Sequence, residues 1–304
     1  MDRRTFLASA TSAAAAAASL AGGAPSAAQA QSTGASSEPA PPSAASAPRS
    51  PTYRHSVCRW CFGGFELKEL STRVKALGYG SIELLGEKEW PVVIDAGLQC
   101  AVANGPTSIA EGMNRRETHD RIVKDAERLL PLIAKAGIPQ MIVLSGNRRG
   151  MPDDEGLANC AECLGRIMPA AKAEGVTVVM ELLNSKVDHR DYMGDRTPWG
   201  IRLCEAVADD RFRLLYDIYH MQVMEGDVIR TIRDHAKWIG HYHTGGVPGR
   251  NEIGAKQELQ YPAICAAIAA TGYTGFIGQE FIPALDPMES LRSAITLCRD
   301  PRAG

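Results

Sequence analysis

The sequence predicts a (β/α)8 TIM barrel that forms a single domain. Strand and helix patterns alternate eight times between residues 52 and 304, and this alternation is typical of a parallel sheet covered by helices. Four short apolar runs each end in a polar residue, at successive intervals of 36, 26 and 37 residues. That spacing is about one strand–loop–helix–loop unit. No G-x-G-x-x-G motif follows the first strand, which argues against an open dinucleotide-binding sheet.

The strand predictions rest on short runs of apolar and β-branched residues. Several of these runs follow a glycine turn such as Gly137-Ile138-Pro139. Glycine ends a helix cleanly because it accepts the left-handed conformation. The predicted strands are Arg54–Cys61, Ser81–Leu85, Cys100–Asn104, Gln140–Ser145, Thr177–Leu183, Arg213–Ile218, Ile239–Thr244 and Phe276–Phe281.

The helix predictions fill the gaps between the strands. The clearest is Arg116–Ala136, whose apolar residues recur at helical spacing and so share one face. Those residues are Ile122, Ala126, Leu129, Leu130 and Ile133. The other predicted helices are Glu66–Leu77, Val92–Ala96, Glu155–Glu174, Thr197–Val207, Asp227–His235, Pro262–Ala270 and Pro287–Leu297.

The first thirty residues have the pattern of a twin-arginine export signal. Arg3 and Arg4 precede a weakly apolar, alanine-rich stretch, and Ala28-Gln29-Ala30 is a small-x-small cleavage site. The alternatives are a membrane anchor or a disordered tail, but the stretch is too short and too weakly apolar to span a bilayer. Residues 31–51 are rich in Ser, Ala and Pro and read as a disordered linker. We therefore expect a periplasmic or secreted protein.

The remaining composition limits the class of partner. The formal net charge is −2 and there is no basic block, which argues against a nucleic-acid surface. No later segment is long and apolar enough to serve as a stable membrane anchor. The expected partner is a small molecule, and a homo-oligomer is left open.

Eight cysteines include two C-x-x-C pairs, Cys58 with Cys61 and Cys160 with Cys163. Such pairs are compatible with a zinc ribbon or with disulfides. The two pairs lie about a hundred residues apart, however, and the second lies in an amphipathic stretch, where cysteine behaves as a small apolar residue. We favour that buried role.

The four polar residues at the ends of the apolar runs are Glu181, Asp217, His243 and Glu280. A single carboxylate at such a position often caps the following turn. Four of them on successive strands converge on one mouth of a barrel. Three carboxylates and an imidazole favour one divalent metal ion, Mg²⁺ or Mn²⁺, with Zn²⁺ or Co²⁺ as alternatives. The two glutamates could also transfer protons.

Several motifs resemble the hydroxypyruvate isomerase family, which belongs to the xylose isomerase-like barrel superfamily together with ketose 3-epimerases. The most specific is Tyr216-Asp217-Ile218-Tyr219-His220-Met221-Gln222 with Glu225-Gly226 after it. The resemblance covers the region after the linker and is strongest from Thr177 to Pro283. The supporting motifs are Met180-Glu181-Leu182-Leu183-Asn184, Ile239-Gly240-His241-Tyr242-His243, Pro248-Gly249-Arg250-Asn251-Glu252-Ile253-Gly254 and Gly278-Gln279-Glu280-Phe281-Ile282-Pro283.

The resemblance implies roles for the matched positions. Glu181, Asp217, His243 and Glu280 correspond to the family's metal ligands, and the two glutamates also to its acid/base pair. His220 and Arg250 correspond to residues that hold substrate oxygens, and Glu252, in the same loop, is expected to bind substrate with them.

Other side chains are candidate site residues because of their positions relative to the predicted strands. Trp60, at the end of the first predicted strand, could stack on substrate or pack in the core. His189 follows the Glu181 strand and could belong to a lid that contacts substrate. Glu83 is expected to bond within the barrel. His241 lies one layer below His243, where we expect it to support the ligands.

The expected activity is isomerisation or epimerisation of a small hydroxy-carbonyl compound, hydroxypyruvate or a keto-sugar, through an enediolate. The alternatives are a dehydratase or lyase acting on a keto-sugar or inosose, and a sugar-binding barrel without catalysis. His243 stands where similar isomerases carry an amide, and the segment 101–105 lacks a histidine that relatives place there. Both departures favour larger hydroxy-ketones over hydroxypyruvate.

Overall fold

The structure, a computed structural model, describes residues 53–302. The predicted signal at 1–30 and the predicted linker at 31–51 lie outside the described residues. The predicted single domain from residue 52 onward contains the whole described part of the chain.

Within residues 53–302, eight parallel strands form the sheet, with β1 paired to both β2 and β8. Between β2 and β3 the contact consists of isolated parallel bridges, Ser81 with Gln99 and Leu85 with Ala103. These bridges bring the two ends of the sheet together, so the predicted barrel is confirmed. The strands are β1 Arg54–Cys58, β2 Ser81–Glu83, β3 Val102–Ala103, β4 Gln140–Val143, β5 Thr177–Glu181, β6 Phe212–Asp217, β7 Ile239–Thr244 and β8 Phe276–Gln279.

The helices cover the outside of the barrel. Among the described residues they are α1 Leu67–Ala76, α2 Trp90–Asp95, α3 His119–Lys135, α4 Asp153–Glu174, α5 Thr197–Val207, α6 Ile218–Met224, α7 Val228–His235, α8 Tyr261–Ala270 and α9 Pro287–Leu297. The predicted apolar face of α3 is buried. None of the described helices is long and apolar enough to cross a bilayer.

Two details of the predicted elements are wrong. The predicted strand Arg54–Cys61 ends at Cys58, and a short 3-10 helix follows it. Most other predicted strands also extend one or more residues too far, because residues such as Leu85, Leu182 and Phe281 are fully buried beyond the last ladder position. Helix α6 was not predicted. It begins directly after β6, where the Asp217 side chain accepts a hydrogen bond from the His220 amide.

The barrel interior determines which side chains reach the mouth. Successive residues of a strand point to opposite faces, so the residue two positions before an inward residue also points inward. The residues two positions before the four site residues are Val179, Leu215, His241 and Gly278. The side chains of the first three are buried, and glycine has none. The four predicted site residues therefore form the uppermost inner layer of their strands.

All eight cysteines lie within the described residues and none forms a disulfide. Cys160 and Cys163 are buried on α4, as expected for small apolar side chains.

Candidate active site

The structure brings the four residues at the strand ends together. Glu181 ends β5, Asp217 ends β6, His243 lies in β7, and Glu280 follows β8. One potential ligand atom from each lies within 4.8 Å of the others, and all four side chains are buried. Three carboxylates and one imidazole thus share a single small volume at the C-terminal mouth of the barrel, as the spacing of the sequence predicts.

His243 is held between carboxylates above and below. Its Nδ1 lies 2.7 Å from Glu280 Oε2 and 3.1 Å from Glu181 Oε1. Its Nε2 lies 2.7 Å from Oε1 of the fully buried Glu83, which also lies 2.9 Å from Nε2 of His241. Glu83 on β2 therefore bonds within the barrel, as predicted, and fixes the orientation of the His243 ring from below.

Gly278 on β8 leaves space for the contact between Glu83 and His243. A Cβ atom at this position would lie 2.4 Å from Glu83 Oε1 and 2.8 Å from His243 Cδ2. Neither atom is the free end of a flexible side chain, because both belong to the buried hydrogen-bonded pair. A side chain at residue 278 would therefore displace the contact between Glu83 and His243.

Arg250 lies against the carboxylates. Its Nη2 donates to Asp217 Oδ2 at 2.8 Å and to Glu280 Oε2 at 2.6 Å, and its Nε donates to the Glu280 carbonyl oxygen at 3.2 Å. The residue has a φ of 57° in a tight loop that is joined by the antiparallel bridge between Gly246 and Asn251. This conformation is uncommon for a residue with a side chain, so the loop holds the guanidinium over the cluster at some cost in backbone strain.

The pKa shifts show an excess of buried negative charge. Burial raises the pKa of Asp217 to about 8, against the opposing effect of Arg250. Burial, and then repulsion from Glu280, raises the pKa of Glu181. Burial opposes ionisation of Glu280 too, but the positive charges of His243 and Arg250 outweigh it and hold the pKa of Glu280 well below its ordinary value.

These residues fit a divalent cation. Buried carboxylates that are not fully compensated by positive charge are costly, and a cation among them would remove that cost. Carboxylate oxygens with one imidazole suit Mg²⁺, Mn²⁺ and Zn²⁺. The contact between Nε2 of His243 and Glu83 is also the outer hydrogen bond that metal-binding histidines usually make. Glu181, Asp217, His243 and Glu280 would hold the ion.

A cavity of about 580 Å³ opens directly over this cluster. On one side it is lined by charged, imidazole and indole groups, those of Glu181, Glu280, Arg250, His189 and Trp60. On the other side it is lined mainly by apolar side chains, with two small polar ones, namely Leu84, Ile109, Ile142, Leu144, Leu183, Asn104 and Thr107. A ligand in the cavity would thus contact the carboxylates at one end and an apolar wall at the other.

Trp60 and His189 both line the cavity. Trp60 is 48% exposed, so it is not a packed core residue. Its Nε1 donates to Glu280 Oε1 at 2.6 Å, and its ring lies 5.3 Å from the Arg250 guanidinium carbon. His189, in the loop after β5, has its ring centroid 5.4 Å from that of His220. Both positions permit the predicted substrate contacts.

His220 and Glu252 lie behind the lining of the cavity. His220 is fully buried, with its Nε2 2.8 Å from Arg250 Nη1. Glu252 faces away from the cavity and accepts hydrogen bonds from the Leu285 amide and the Ser290 hydroxyl. The expectation that Glu252 contacts substrate is therefore corrected: this carboxylate joins the Arg250 loop to the segment after β8.

The sequence gives no sign of the apolar half of the cavity. Ile142 precedes Leu144 by two residues, so the two share the inner face of β4 and its extension. That alternation is present in the sequence, but an inward apolar residue at the mouth looks like any other core residue.

Comparison with known protein families identifies the fold family. The family model described as "Xylose isomerase-like TIM barrel" matches residues 72–300. The chain belongs to this family. The match covers most of the chain and confirms the resemblance inferred from the sequence motifs.

Two proteins similar to this chain are named as isomerases. A Homo sapiens protein named "Putative hydroxypyruvate isomerase" is 26% identical over 252 residues, which are 76% of this chain and 90% of the relative. The 2-oxo-tetronate isomerase of Cupriavidus necator is 35% identical over 137 residues, 44% of this chain and 52% of that relative. This chain thus matches about half the length of the second relative.

Among solved structures, 3-keto-D-glucoside 4-epimerase from E. coli aligns with a TM-score of 0.69 at 21% identity, over 81% of this chain and 98% of the other. At that identity the similarity shows the shared fold alone.

Proposed function

We propose that this protein is a divalent-metal-dependent isomerase or epimerase of a small hydroxy-carbonyl compound, hydroxypyruvate or a keto-sugar. The observation that supports this most is the convergence of two buried glutamates, Glu181 and Glu280, with Asp217 and His243 below one cavity. The names of the relatives support the isomerase class.

The two glutamates transfer the proton. A divalent cation bound by the four-residue cluster would polarise the substrate carbonyl and stabilise the negative charge that develops beside it. One glutamate removes the proton from the carbon next to the carbonyl and gives an enediolate. In isomerisation the same glutamate, or the other, returns a proton to the neighbouring carbon, while the hydroxyl proton of the substrate passes to the former carbonyl oxygen. In epimerisation the proton returns to the opposite face of the same carbon. Both side chains border the cavity, as proton transfer requires.

The surrounding side chains bind and orient the substrate. The Arg250 guanidinium lies beside Asp217 and Glu280, where its N–H groups can donate to substrate oxygens. Trp60 presents a half-exposed ring at the mouth and, through its bond to Glu280, also orients that carboxylate. His189 lines the cavity from the loop after β5.

The size of the cavity favours a keto-sugar or sugar derivative at least as much as hydroxypyruvate. A volume of about 580 Å³ lies within the range of pockets that enclose ligands much larger than a three-carbon acid. The apolar wall opposite the carboxylates gives the far end of a longer substrate a surface to pack against.

Solvent exchange tests the proposed function. The protein, loaded with Mg²⁺ or Mn²⁺, is incubated in heavy water with hydroxypyruvate, tartronate semialdehyde and a panel of ketoses. We expect deuterium at the carbon next to the carbonyl together with an isomeric product. Loss of water from the product would instead identify a dehydratase. Absence of both deuterium and product across the panel would contradict the proposal.

We further propose that the protein reaches the periplasm or the exterior by the twin-arginine route, since Arg3 and Arg4 stand before the alanine-rich stretch. Replacement of both by Lys should leave an uncleaved precursor in the cytoplasm. Normal processing of that variant would contradict this route.

A further inference from the structure

Glu252 lies two residues after Arg250, in the loop between β7 and α8. Its Oε1 accepts hydrogen bonds from three donors in the segment after β8 and the first turn of α9. These donors are the amide of Ala284 at 2.8 Å, the amide of Leu285 at 2.9 Å and the hydroxyl of Ser290 at 2.9 Å. Burial opposes ionisation of Glu252, but these hydrogen bonds outweigh it and lower the pKa of the carboxyl group. Glu252 is therefore a charged acceptor at neutral pH.

Two further hydrogen bonds join the same loop to the same segment. The Ile282 amide donates to the carbonyl oxygen of Arg250 at 2.7 Å, and the Asn251 side chain donates to the carbonyl oxygen of Ile282 at 2.9 Å. Arg250, Asn251 and Glu252 thus run beside the segment after β8, and each of the three is bonded to it. Glu252 makes the largest share of these contacts.

The backbone of Arg250 depends on such contacts because it is strained. Its φ of 57° lies in the left-handed region, which a residue with a Cβ atom rarely adopts. A conformation of this kind persists only where the surrounding structure determines it. The hydrogen bonds to the segment after β8 are made by Arg250 itself and by the two residues that follow it, so they are well placed to hold this conformation.

Each of the two joined segments carries a residue of the active-site cluster. Arg250 belongs to the loop, and Glu280 lies two residues before Ile282 in the segment after β8. Arg250 Nη2 donates to Glu280 Oε2 at 2.6 Å, and Arg250 Nε donates to the Glu280 carbonyl oxygen at 3.2 Å. The Glu252 side chain lies outside the lining of the cavity. Any effect of Glu252 on these contacts must therefore pass through the backbone of the two segments.

We propose that Glu252 is a positioning residue: by joining the Arg250 loop to the segment after β8, it holds the Arg250 guanidinium group against Glu280. Without the carboxylate, the backbone of Arg250 is free to relax to an ordinary conformation, and the guanidinium group moves away from Glu280. The expected effect on turnover rests on the proposed function, whereas the expected effect on the position of the loop does not.

Trypsin can report the position of the loop without any assay of turnover, because it cleaves after arginine. Arg250 is only 9% exposed, so cleavage after it should be slow in the wild type. The full chain is treated with trypsin under native conditions, and the initial rate of cleavage at each site is followed by mass spectrometry. In Glu252→Ala we expect cleavage after Arg250 to be about 10-fold faster or more, because cleavage follows the population of the opened loop. Cleavage after Arg213, within β6, reports unfolding of the barrel and should keep its wild-type rate.

Two further variants serve as controls. Glu252→Gln keeps an acceptor oxygen in a side chain of the same size, so cleavage after Arg250 should stay near the wild-type rate. Glu289→Ala removes an exposed glutamate of α9 that pairs with Arg292, and it should also behave as the wild type does. Wild-type cleavage after Arg250 in Glu252→Ala would overturn the proposal even if the protein is an isomerase. An equal rise in cleavage after Arg213 would also overturn it, because Glu252 would then only stabilise the fold.

Kinetics test whether Glu252 acts through Arg250. For whichever substrate the solvent-exchange assay identifies, Glu252→Ala should raise KM by about 3- to 10-fold and lower kcat less, because the guanidinium group is displaced but still present. Glu289→Ala should leave both constants unchanged. In protein that already carries Arg250→Ala, Glu252→Ala should change KM no further, since the effects of residues that act through one another do not add. If the two effects add in the double variant, Glu252 acts independently of Arg250 and the proposal is wrong.

Discussion

The two halves of the barrel mouth differ in chemistry although they share one topology. Strands β5 to β8 end in three carboxylates and an imidazole that share one small volume. The half formed by β2 to β4 places Leu84, Ile142 and Leu144 on the opposite wall of the same cavity. The fold sets where side chains converge, and the residue at each strand end sets what that position does. A substrate would react on the first half, here called the charged half, and pack against the second, the apolar half.

One carboxylate of the apolar half contacts side chains of the charged half. Glu83 belongs to β2, yet its Oε1 contacts both His241 and His243 on β7. It lies below the cavity rather than in it, so the apolar half supports a ligand of the charged half without exposing charge to the substrate.

The largest expected effect comes from neutralising either glutamate of the charged half. Glu181→Gln or Glu280→Gln removes a proton acceptor and a ligand charge in a side chain of the same size. We expect kcat to fall by about 10²- to 10⁴-fold or more, measured with each purified variant. The control Glu69→Gln changes an exposed glutamate of α1 that pairs with Arg73 and should retain full activity. Wild-type turnover in either site variant would remove that glutamate from the proposed mechanism.

Glu83→Gln tests whether the apolar half strengthens metal binding by the charged half. The amide cannot match the charge of the carboxylate that holds His243, so we expect metal affinity to weaken by about 10- to 100-fold, as for other outer-shell partners of metal-binding histidines. Titration calorimetry of the metal-free protein with Mn²⁺ measures this directly, with Glu69→Gln as the charge-matched control. Equal affinity in Glu83→Gln and wild type would show that the two halves are independent.

Arg250→Ala tests whether the guanidinium group of the charged half contacts substrate. The change removes the donors that face Asp217 and Glu280 but leaves both carboxylates in place. We expect KM to rise by about 10-fold or more, while kcat falls less, because hydrogen bonds to charged groups contribute on this scale. Steady-state kinetics with saturating metal separate the two constants. An unchanged KM would show that Arg250 does not contact substrate.

The smallest expected effect is on stability in the absence of metal. Above about pH 7.5 the histidines whose pKa burial lowers are largely uncharged in both the folded and the unfolded state, because the ordinary pKa of histidine is about 6.5. These histidines are His55, His189 and His220. In contrast, Asp217, Glu181 and His243 have raised pKa values, so the folded state binds more protons than the unfolded state. Stability must then fall as pH rises from about 7.5 to about 8.5, by about 1 kcal/mol per pH unit for each such proton.

Urea unfolding in the presence of a chelator measures this slope. Added Mn²⁺ should flatten it, because the cation replaces the protons as the compensating charge. A stability that rises with pH in this interval in chelator would mean that the cluster does not hold excess negative charge.

The sequence predicted the charged half better than the apolar half. Glu181, Asp217, His243 and Glu280 are recognisable because a polar residue that ends an apolar strand is unusual, and repetition at one spacing makes it specific. Ile142 and Leu144 carry no such signal, because apolar residues are expected on a strand whether or not they face a ligand.

Contacts between distant residues were also beyond prediction. Glu83 and His243 are separated by 160 residues, and only the closure of the barrel places them together. The position of Glu252 was predicted incorrectly because its loop was identified by motif, and the direction of a loop side chain depends on the local backbone. The tight turn that directs Arg250 inward leaves Glu252 facing the segment after β8.

The most direct test of the central claim is the number of divalent ions bound by the charged half. Equilibrium dialysis of the metal-free protein against Mn²⁺ should give about one ion per chain. The same measurement on Asp217→Asn and on His243→Gln should give strongly weakened binding, while Glu69→Gln should bind as wild type does. Wild-type protein that binds no Mn²⁺, or site variants that bind it as tightly as wild type, would contradict the assignment of this cluster as a metal site.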